Sequence, residues 1–325
     1  MTPCLQALKE LQPAVEISVV TERIAAPVLE DHPLLDNLFV VSKTLTSRFG
    51  LIARLRRENF DVAFNLHGGS TAMLLTAMSG AKHTVGFKGQ QGSKFLSEPA
   101  PAPDIILGRA KIHSVEQQLA LLSFAGVPLQ HQPRLSLAIS SDAAASARTK
   151  MTGAGINVSS LTTKQFAIVV PGAAFESKRW GAREFASVID HLAGRQLESI
   201  VIAGPGQEQL AGEVADFSDS RPCVLSNITL AELKAVIGVF GRVFVGNDSG
   251  PMHIAAALDC PIVAVFGSSN PDVWHPWTSA AYRVLGGERG TPDSNVRGSI
   301  TTVPVHAVTS AADEVIESAA TSVAS

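Results

Sequence analysis

The chain has 325 residues, 46% of them hydrophobic and 17% charged, which is enough for two domains of ordinary size with substantial cores. A formal charge of −3 over that length supplies no general field for nucleic acid, and no apolar run reaches the roughly 18 residues that span a bilayer. Cys4, Cys223 and Cys260 fit neither a metal nor a redox spacing and read as buried thiols of a reducing compartment; with no charged-then-apolar leader at the amino terminus, the chain is expected in the cytoplasm.

The chain opens MTPCLQALKELQPAVEISVVTE, a helix with Leu5, Leu8 and Leu11 on one face that runs into a strand. A βα domain that opens this way is expected to lack its first strand. Strands are predicted at 16–21, 36–41, 61–66 and 84–87, and again at 166–170, 199–203, 243–246 and 262–266, with helix-like runs between them. Among those runs, 113–128 is an amphipathic helix closed by Gly126. The alternation predicts an α/β fold of parallel sheets with helices on both faces. Residues 139–165 begin as an Ala-rich helix and turn Gly- and Ser-rich, which places a linker at 152–165 between domains at 1–151 and 166–325, the second ending in a helix around 311–319.

Polar residues gather where predicted strands end. In FDVAFNLHGGSTAMLLTAMSGAKHTVGFKGQ, His67 follows a strand and Lys82, His83, Lys88 and Lys94 lie nearby, either facing a cleft or forming a wet loop. In FAIVVPGAAFESKRWGAREFASVIDHLAG, Lys178 and Arg179 follow Pro171-Gly172. A cation at a strand's carboxyl end can neutralise a diphosphate, including one gaining charge as it leaves, although basic residues before a helix are commonly just solvated. In IVIAGPGQEQ, Gly204 and Gly206 suggest a phosphate turn, Gln209 breaks the dinucleotide fingerprint, and Glu208 either binds ribose hydroxyls or caps a helix.

The segment 241–267, GRVFVGNDSGPMHIAAALDCPIVAVFG, is a βαβ unit with Asn247-Asp248-Ser249-Gly250-Pro251 between strand and helix. A helix amino terminus with free N–H groups attracts phosphate, and Gly250 lets a ligand reach the backbone. Asp248 would repel that phosphate, so it either caps the helix or bonds ligand hydroxyls or a ring nitrogen. His253, in the first turn, is within reach of the same ligand. Trp277 reads as packing, while Trp274 either stacks on a base or covers the sheet. The patterns GxxxxGK[ST], HExxH and GxSxG are absent, which withdraws sequence support for P-loop, zinc-hydrolase and α/β-hydrolase chemistry.

VGNDSGPMHIAAALDCPIVAVFGSSNPDVWHPW resembles the signature of glycosyltransferase family 9, the ADP-heptose:lipopolysaccharide heptosyltransferases. VVPGAAFESKRWGAREFASVIDHL and FDVAFNLHG…SGAKHTVGF resemble two further stretches of that family, so the likeness covers nearly the whole chain. It implies a GT-B architecture, two Rossmann-like domains facing across a cleft. The implied reaction is inverting, needs neither metal nor cofactor, and moves heptose from ADP-heptose to a lipopolysaccharide inner-core acceptor, with peripheral contact at the inner face of the inner membrane. Carried over by position, Lys178 stabilises the leaving diphosphate. Ala173, Ala174, Asp248, Ser249, Gly250 and His253 bind the donor, Glu208 holds the adenosine ribose, and Ile228 packs the adenine. His67, Lys82 and Lys88 fall on the acceptor side. The family's opening strand and Gly-Asp loop, with the aspartate suspected as base, would precede Met1, so the chain is expected to lack that base and one strand, and Asn65 stands where relatives often carry Asp. Two other readings remain open: a nucleotide-sugar epimerase or hydrolase on the same fold, and a non-catalytic nucleotide-binding protein.

Overall fold

The computed structural model describes residues 1–129, 131–158, 165–287 and 300–323. The chain divides into two units, Met1–Arg134 and Leu135–Ser325. The first runs α1 (Thr2–Leu11), β1 (Ser18–Glu22), α2 (Ala26–Leu29), β2 (Asn37–Val41), α3 (Leu45–Arg57), β3 (Val62–Phe64), α4 (Ser70–Met78), β4 (His83–Phe87), β5 (Glu98–Ala100), α5 (Pro103–Leu107) and α6 (Ser114–Phe124). All its ladders are parallel, yet the strands fall into two sheets, β1-β2 and β3-β4-β5. Among the described residues β1 and β3 therefore pair on one side only. In β1 only Val19 is buried, and in β3 Val62 is exposed while Ala63 and Phe64 are half-buried.

Small apolar clusters hold this unit together. Leu51, Ile52 and Leu55 of α3 meet Phe39 and Leu75; Leu5 of α1 meets Ile17, Val19 and Leu29; Val85 meets Ala100 and Leu121. Leu11, expected on the buried face of α1, is the helix's last residue and is 52% exposed; the buried side is Thr2, Pro3, Cys4, Leu5 and Ala7. At α6 the predicted helix begins with a capping box: the His113 ring accepts from Val115 N, and Glu116 Oε2 accepts from His113 N at 2.9 Å. Gly126, at φ +89°, follows its end as expected.

The second unit runs α7 (Ser141–Gly153), β6 (Phe166–Val170), α8 (Ala182–Gly194), β7 (Ser199–Ile202), α9 (Glu208–Phe217), β8 (Cys223–Leu225), α10 (Leu230–Ala235), β9 (Gly241–Asn247), α11 (Gly250–Ala257), β10 (Ile262–Phe266), α12 (Pro271–Trp274), β11 (Tyr282–Gly286) and α13 (Val305–Val323). Its strands make one continuous parallel sheet in the order β11-β10-β9-β6-β7-β8. FAIVV and IVAVF, read from the sequence as strands, are β6 and β10, and every residue of both is buried, as a sheet covered on two faces requires. One face carries a single large cluster in which Phe185, Ile189 and Leu192 of α8 and Val308, Ala312 and Val315 of α13 cover Val169, Val245 and Val265.

Two expectations differ from the structure. β5, β8 and β11 were not predicted: Pro99 interrupts the first, the second has three residues, and the third carries Arg283 on an exposed position. The unit boundary falls between Arg134 and Leu135, ahead of the expected linker at 152–165. The Ala-rich helix assigned to the first domain is α7 of the second unit, tied there by Lys150 Nζ to Glu232 Oε2 at 2.8 Å and by Ser146 Oγ to Glu232 Oε1 at 2.6 Å. Of the expected linker, Ile156 and Val158 are buried and residues 159–164 lie outside the described residues. The three cysteines are free thiols; Cys4 and Cys260 are buried and Cys223 half-buried. No helix among the described residues is long and apolar enough to cross a membrane.

Candidate functional site

From β6 the chain builds outward through β7 to β8, then returns to lay β9 on the other side of β6 and builds outward again through β10 to β11. The loops leaving the carboxyl ends of β6 and β9 therefore turn to opposite sides, and the space between them is where ligands enter parallel α/β sheets. Lys178 sits on the first loop and Asp248 on the second, and Lys178 Nζ donates to Asp248 Oδ2 at 2.8 Å. The aspartate side chain is 6% exposed and the lysine 21%. Asp248 Oδ2 also accepts from Ser269 Oγ, on the loop after β10. An ammonium has three donors and Asp248 uses one, so Lys178 is aimed by the carboxylate and keeps donors for a ligand.

A buried side-chain amide ties together the loops that carry this pair. Buried Asn247 donates through Nδ2 to Pro171 O at 2.7 Å and accepts at Oδ1 from Trp180 N at 3.1 Å, joining the end of β9 to both ends of the Lys178 loop. Trp180 is 1% exposed, donates Nε1–H to Val303 O and lies edge-on to Phe185 at 5.0 Å. Gly267 fits where nothing larger would, because a Cβ there would stand 2.0 Å from the Ser177 carbonyl oxygen. Beside it the Ser177 and Ser268 hydroxyls are 3.0 Å apart. Ala173 is buried, and its carbonyl accepts from Arg179 Nε at 3.0 Å and Gln207 Nε2 at 3.1 Å.

At α11 the helix starts without a side-chain cap: Ser249 is the N-cap, and its hydroxyl is buried with no hydrogen-bond partner. Gly250 is exposed, with nothing within 4 Å of where a Cβ would stand. Pro251 has no N–H and Met252 N donates to Ser249 O at 3.1 Å, so the Gly250 N–H and the Ser249 hydroxyl, with open space over the glycine, are the donors that an anion could use at this helix start. His253, one turn in, has its pKa lowered by burial against the opposing pull of Asp248, which keeps the imidazole neutral near pH 7. The Trp274 ring stands edge-on to it at 6.4 Å.

The remaining predicted residues line the same rim of the second unit's sheet or lie in the first unit. Ala174 is exposed beside Ala173. Glu208 is exposed in the first turn of α9, where Oε1 accepts from Gly206 N at 3.3 Å, and half-buried Ile228 follows β8. In the first unit, exposed His67 and Lys88 follow the carboxyl ends of β3 and β4. Lys82 does not join them. It precedes β4, at the opposite end of the strand, and pairs with Asp61 at 2.7 Å with both side chains more than 70% exposed. His83 is likewise engaged there by Glu98. Asn65 is buried and accepts from Gly68 N at 3.0 Å, so it shapes its own loop. Among the described residues no three of His, Cys, Asp and Glu gather as a metal site. Sequence reasoning missed the joining role of Asn247 and the part of Ser269. The signal for Ser269 was present, since Gly267-Ser268-Ser269-Asn270 is another polar run at a strand's carboxyl end.

Comparison with known proteins bears on the family and the fold. The profile of glycosyltransferase family 9 (heptosyltransferase) matches residues 48–301. Lipopolysaccharide heptosyltransferase 3 of Escherichia coli is 26% identical over 98% of this chain and 96% of its own length. A family 9 glycosyltransferase of Veillonella parvula superposes with a TM-score of 0.83 at 22% identity, covering 98% of this chain and 93% of that one. The E. coli structure titled ADP-heptose lps heptosyltransferase II superposes with a TM-score of 0.78 at 18% identity, covering 97% and 94%. With the family profile spanning most of its length and the same fold in these structures, the chain belongs to glycosyltransferase family 9, the heptosyltransferases, and is a glycosyltransferase.

Proposed function

We propose that the protein transfers heptose from ADP-heptose to an inner-core sugar of lipopolysaccharide, with inversion at the anomeric carbon and without a metal. The observation that carries this reading is the Lys178 ammonium, aimed by Asp248, beside the uncapped amino end of α11. The acceptor hydroxyl oxygen bonds to the anomeric carbon as its proton passes to water, and the bond from that carbon to the diphosphate breaks. Charge then grows on the departing diphosphate, where Lys178 and the Gly250 N–H stabilise it. The Ser249 hydroxyl and Gly250 N–H contact the diphosphate, and Asp248 and neutral His253 bond the sugar hydroxyls. The backbone at Ala173 and Ala174 lines the donor, Glu208 takes the ribose hydroxyls and Ile228 covers the adenine. His67 and Lys88 serve the acceptor side. The donor and acceptor classes follow the printed names of the E. coli relatives. The enzyme works in the cytoplasm, touching the inner face of the inner membrane, where a lipid-linked acceptor lies.

Isothermal titration calorimetry with ADP, UDP and NAD tests the donor half. ADP is expected to bind preferentially, and Lys178→Ala and Asp248→Ala each to weaken it; equal affinity for the three nucleotides, or variants that bind as the parent does, would sink the assignment. Transfer from ADP-heptose to heptose-deficient lipopolysaccharide, with the product's anomeric configuration read by NMR and the rate compared with and without EDTA, tests the rest.

A further inference from the structure

Helix α3 of the first unit carries an unusual face. Residues 37–57 contain no acidic side chain, while Lys43, Arg48, Arg54, Arg56 and Arg57 crowd into 15 residues of a chain whose net charge is −3. None of the five forms an ion pair among the described residues: Arg48 bonds Ser42 O, Arg54 lies over the Phe39 ring, and Arg56 bonds Met78 O. The helix already fills its core with Leu51, Ile52 and Leu55. Leu45 and Phe49, four residues apart and so on one side of the helix, are left 67% and 60% exposed. At about 3.6 residues per turn Arg56 and Arg57 stand within about 80° of Phe49, whereas Arg54 stands about 140° away and packs over Phe39; packing explains neither the two large apolar side chains in water nor the charge of Arg56 and Arg57 beside them.

Together they meet the requirements of a bilayer surface: apolar side chains to enter the acyl boundary and cations to face anionic headgroups. We infer that α3 docks the protein on an anionic lipid surface, Phe49 and Leu45 inserting and Arg56 and Arg57 meeting the headgroups. This rests on the lipid-linked acceptor proposed above. Two weak signals suffice where neither alone would, because single apolar side chains anchor poorly and a basic patch alone is lost to salt.

The test is flotation of the full chain with vesicles of phosphatidylcholine alone and of phosphatidylcholine with about one-third phosphatidylglycerol. Binding is expected only to the anionic vesicles and should weaken as salt rises. Arg57→Gln should reduce partitioning about fivefold, and the pair Arg56→Gln and Arg57→Gln about twenty-fivefold. Phe49→Ser should cost about tenfold through the apolar contact, with Leu45→Ser as its second reading should Phe49→Ser misfold. Arg23→Gln, exposed in the same unit but off α3, should change nothing. Far-UV circular dichroism confirms that each variant is folded. Absence of binding, equal binding to neutral vesicles, or α3 variants that float as the parent does would each overturn the proposal. ADP calorimetry on the same preparations separates the two readings: loss of ADP binding with α3-dependent flotation intact defeats the proposed function and leaves the docking face standing, and the reverse defeats the docking face alone.

Discussion

Each unit of this protein holds a lysine–aspartate pair of nearly equal length, 2.8 Å for Lys178–Asp248 and 2.7 Å for Lys82–Asp61, and the two do different things. The first closes over the gap between two diverging loops of a sheet in which every residue of β6, β7 and β10 is buried. The second sits in water at the amino edge of a short strand. Screening leaves an exposed pair little to contribute, whereas a desolvated pair fixes where a charge points. The sheets differ likewise: six continuous strands in the second unit against ladders of two and three in the first. The unit with the continuous sheet is the one that buries its lysine–aspartate pair.

The sharpest way to break this contrast is Asn247→Ala. It would strand the Pro171 carbonyl and the Trp180 N–H, both buried, and is expected to cost about 4 kcal/mol. Urea unfolding followed by tryptophan fluorescence reads it cleanly, because Trp180, Trp274 and Trp277 all lie in the second unit. A loss below about 1 kcal/mol would mean that water replaces both bonds.

Acid comes next. Burial alone would raise the Glu232 carboxyl, but hydrogen bonds from Lys150, Ser146 and Thr229 outweigh it and bring its pKa down to about 2. A depressed carboxylate contributes stability that is fully present above its unfolded value near 4.5 and is lost as the pH falls toward 2. The loss is expected to reach about 3 kcal/mol at most, and Glu232→Gln should flatten that part of the pH profile.

Smaller effects separate the cores. Val245→Ala, in the continuous sheet, should cost about 2–3 kcal/mol, and Val85→Ala, in the three-stranded one, about 1 kcal/mol less, since a small cluster collapses more readily around a cavity. Hydrogen exchange resolved by segment checks both. At the bottom of the scale, Lys82→Ala should leave melting temperature and ADP affinity unchanged; a clear fall in ADP affinity would overturn the separation of Lys82 from the site.

What could be read in advance follows the same division. Apolar runs such as FAIVV and IVAVF are legible because burial on both faces leaves no room for polar residues. The short strands at 98–100, 223–225 and 282–286 are not, since their membership depends on neighbours far along the chain. Lys178 and Asp248 were legible as strand-end residues, but not that each would be the other's partner. Asn247 could be seen and its task could not, because the atoms it joins lie 67 and 76 positions away. Lys82 misled because closeness in sequence to Lys88 hides the full strand between them.

The unoccupied hydroxyl of Ser249 has a thermodynamic corollary. A helix that begins without its side-chain cap forgoes about 1 kcal/mol that serine in this place commonly supplies. An anion bound there would give the Ser249 hydroxyl and the Gly250 N–H a partner, so nucleotide binding and folding would be linked. Melting temperature should then climb with the logarithm of ADP concentration once the site is saturated, and the second unit would be most resistant to heat and proteases while holding its donor.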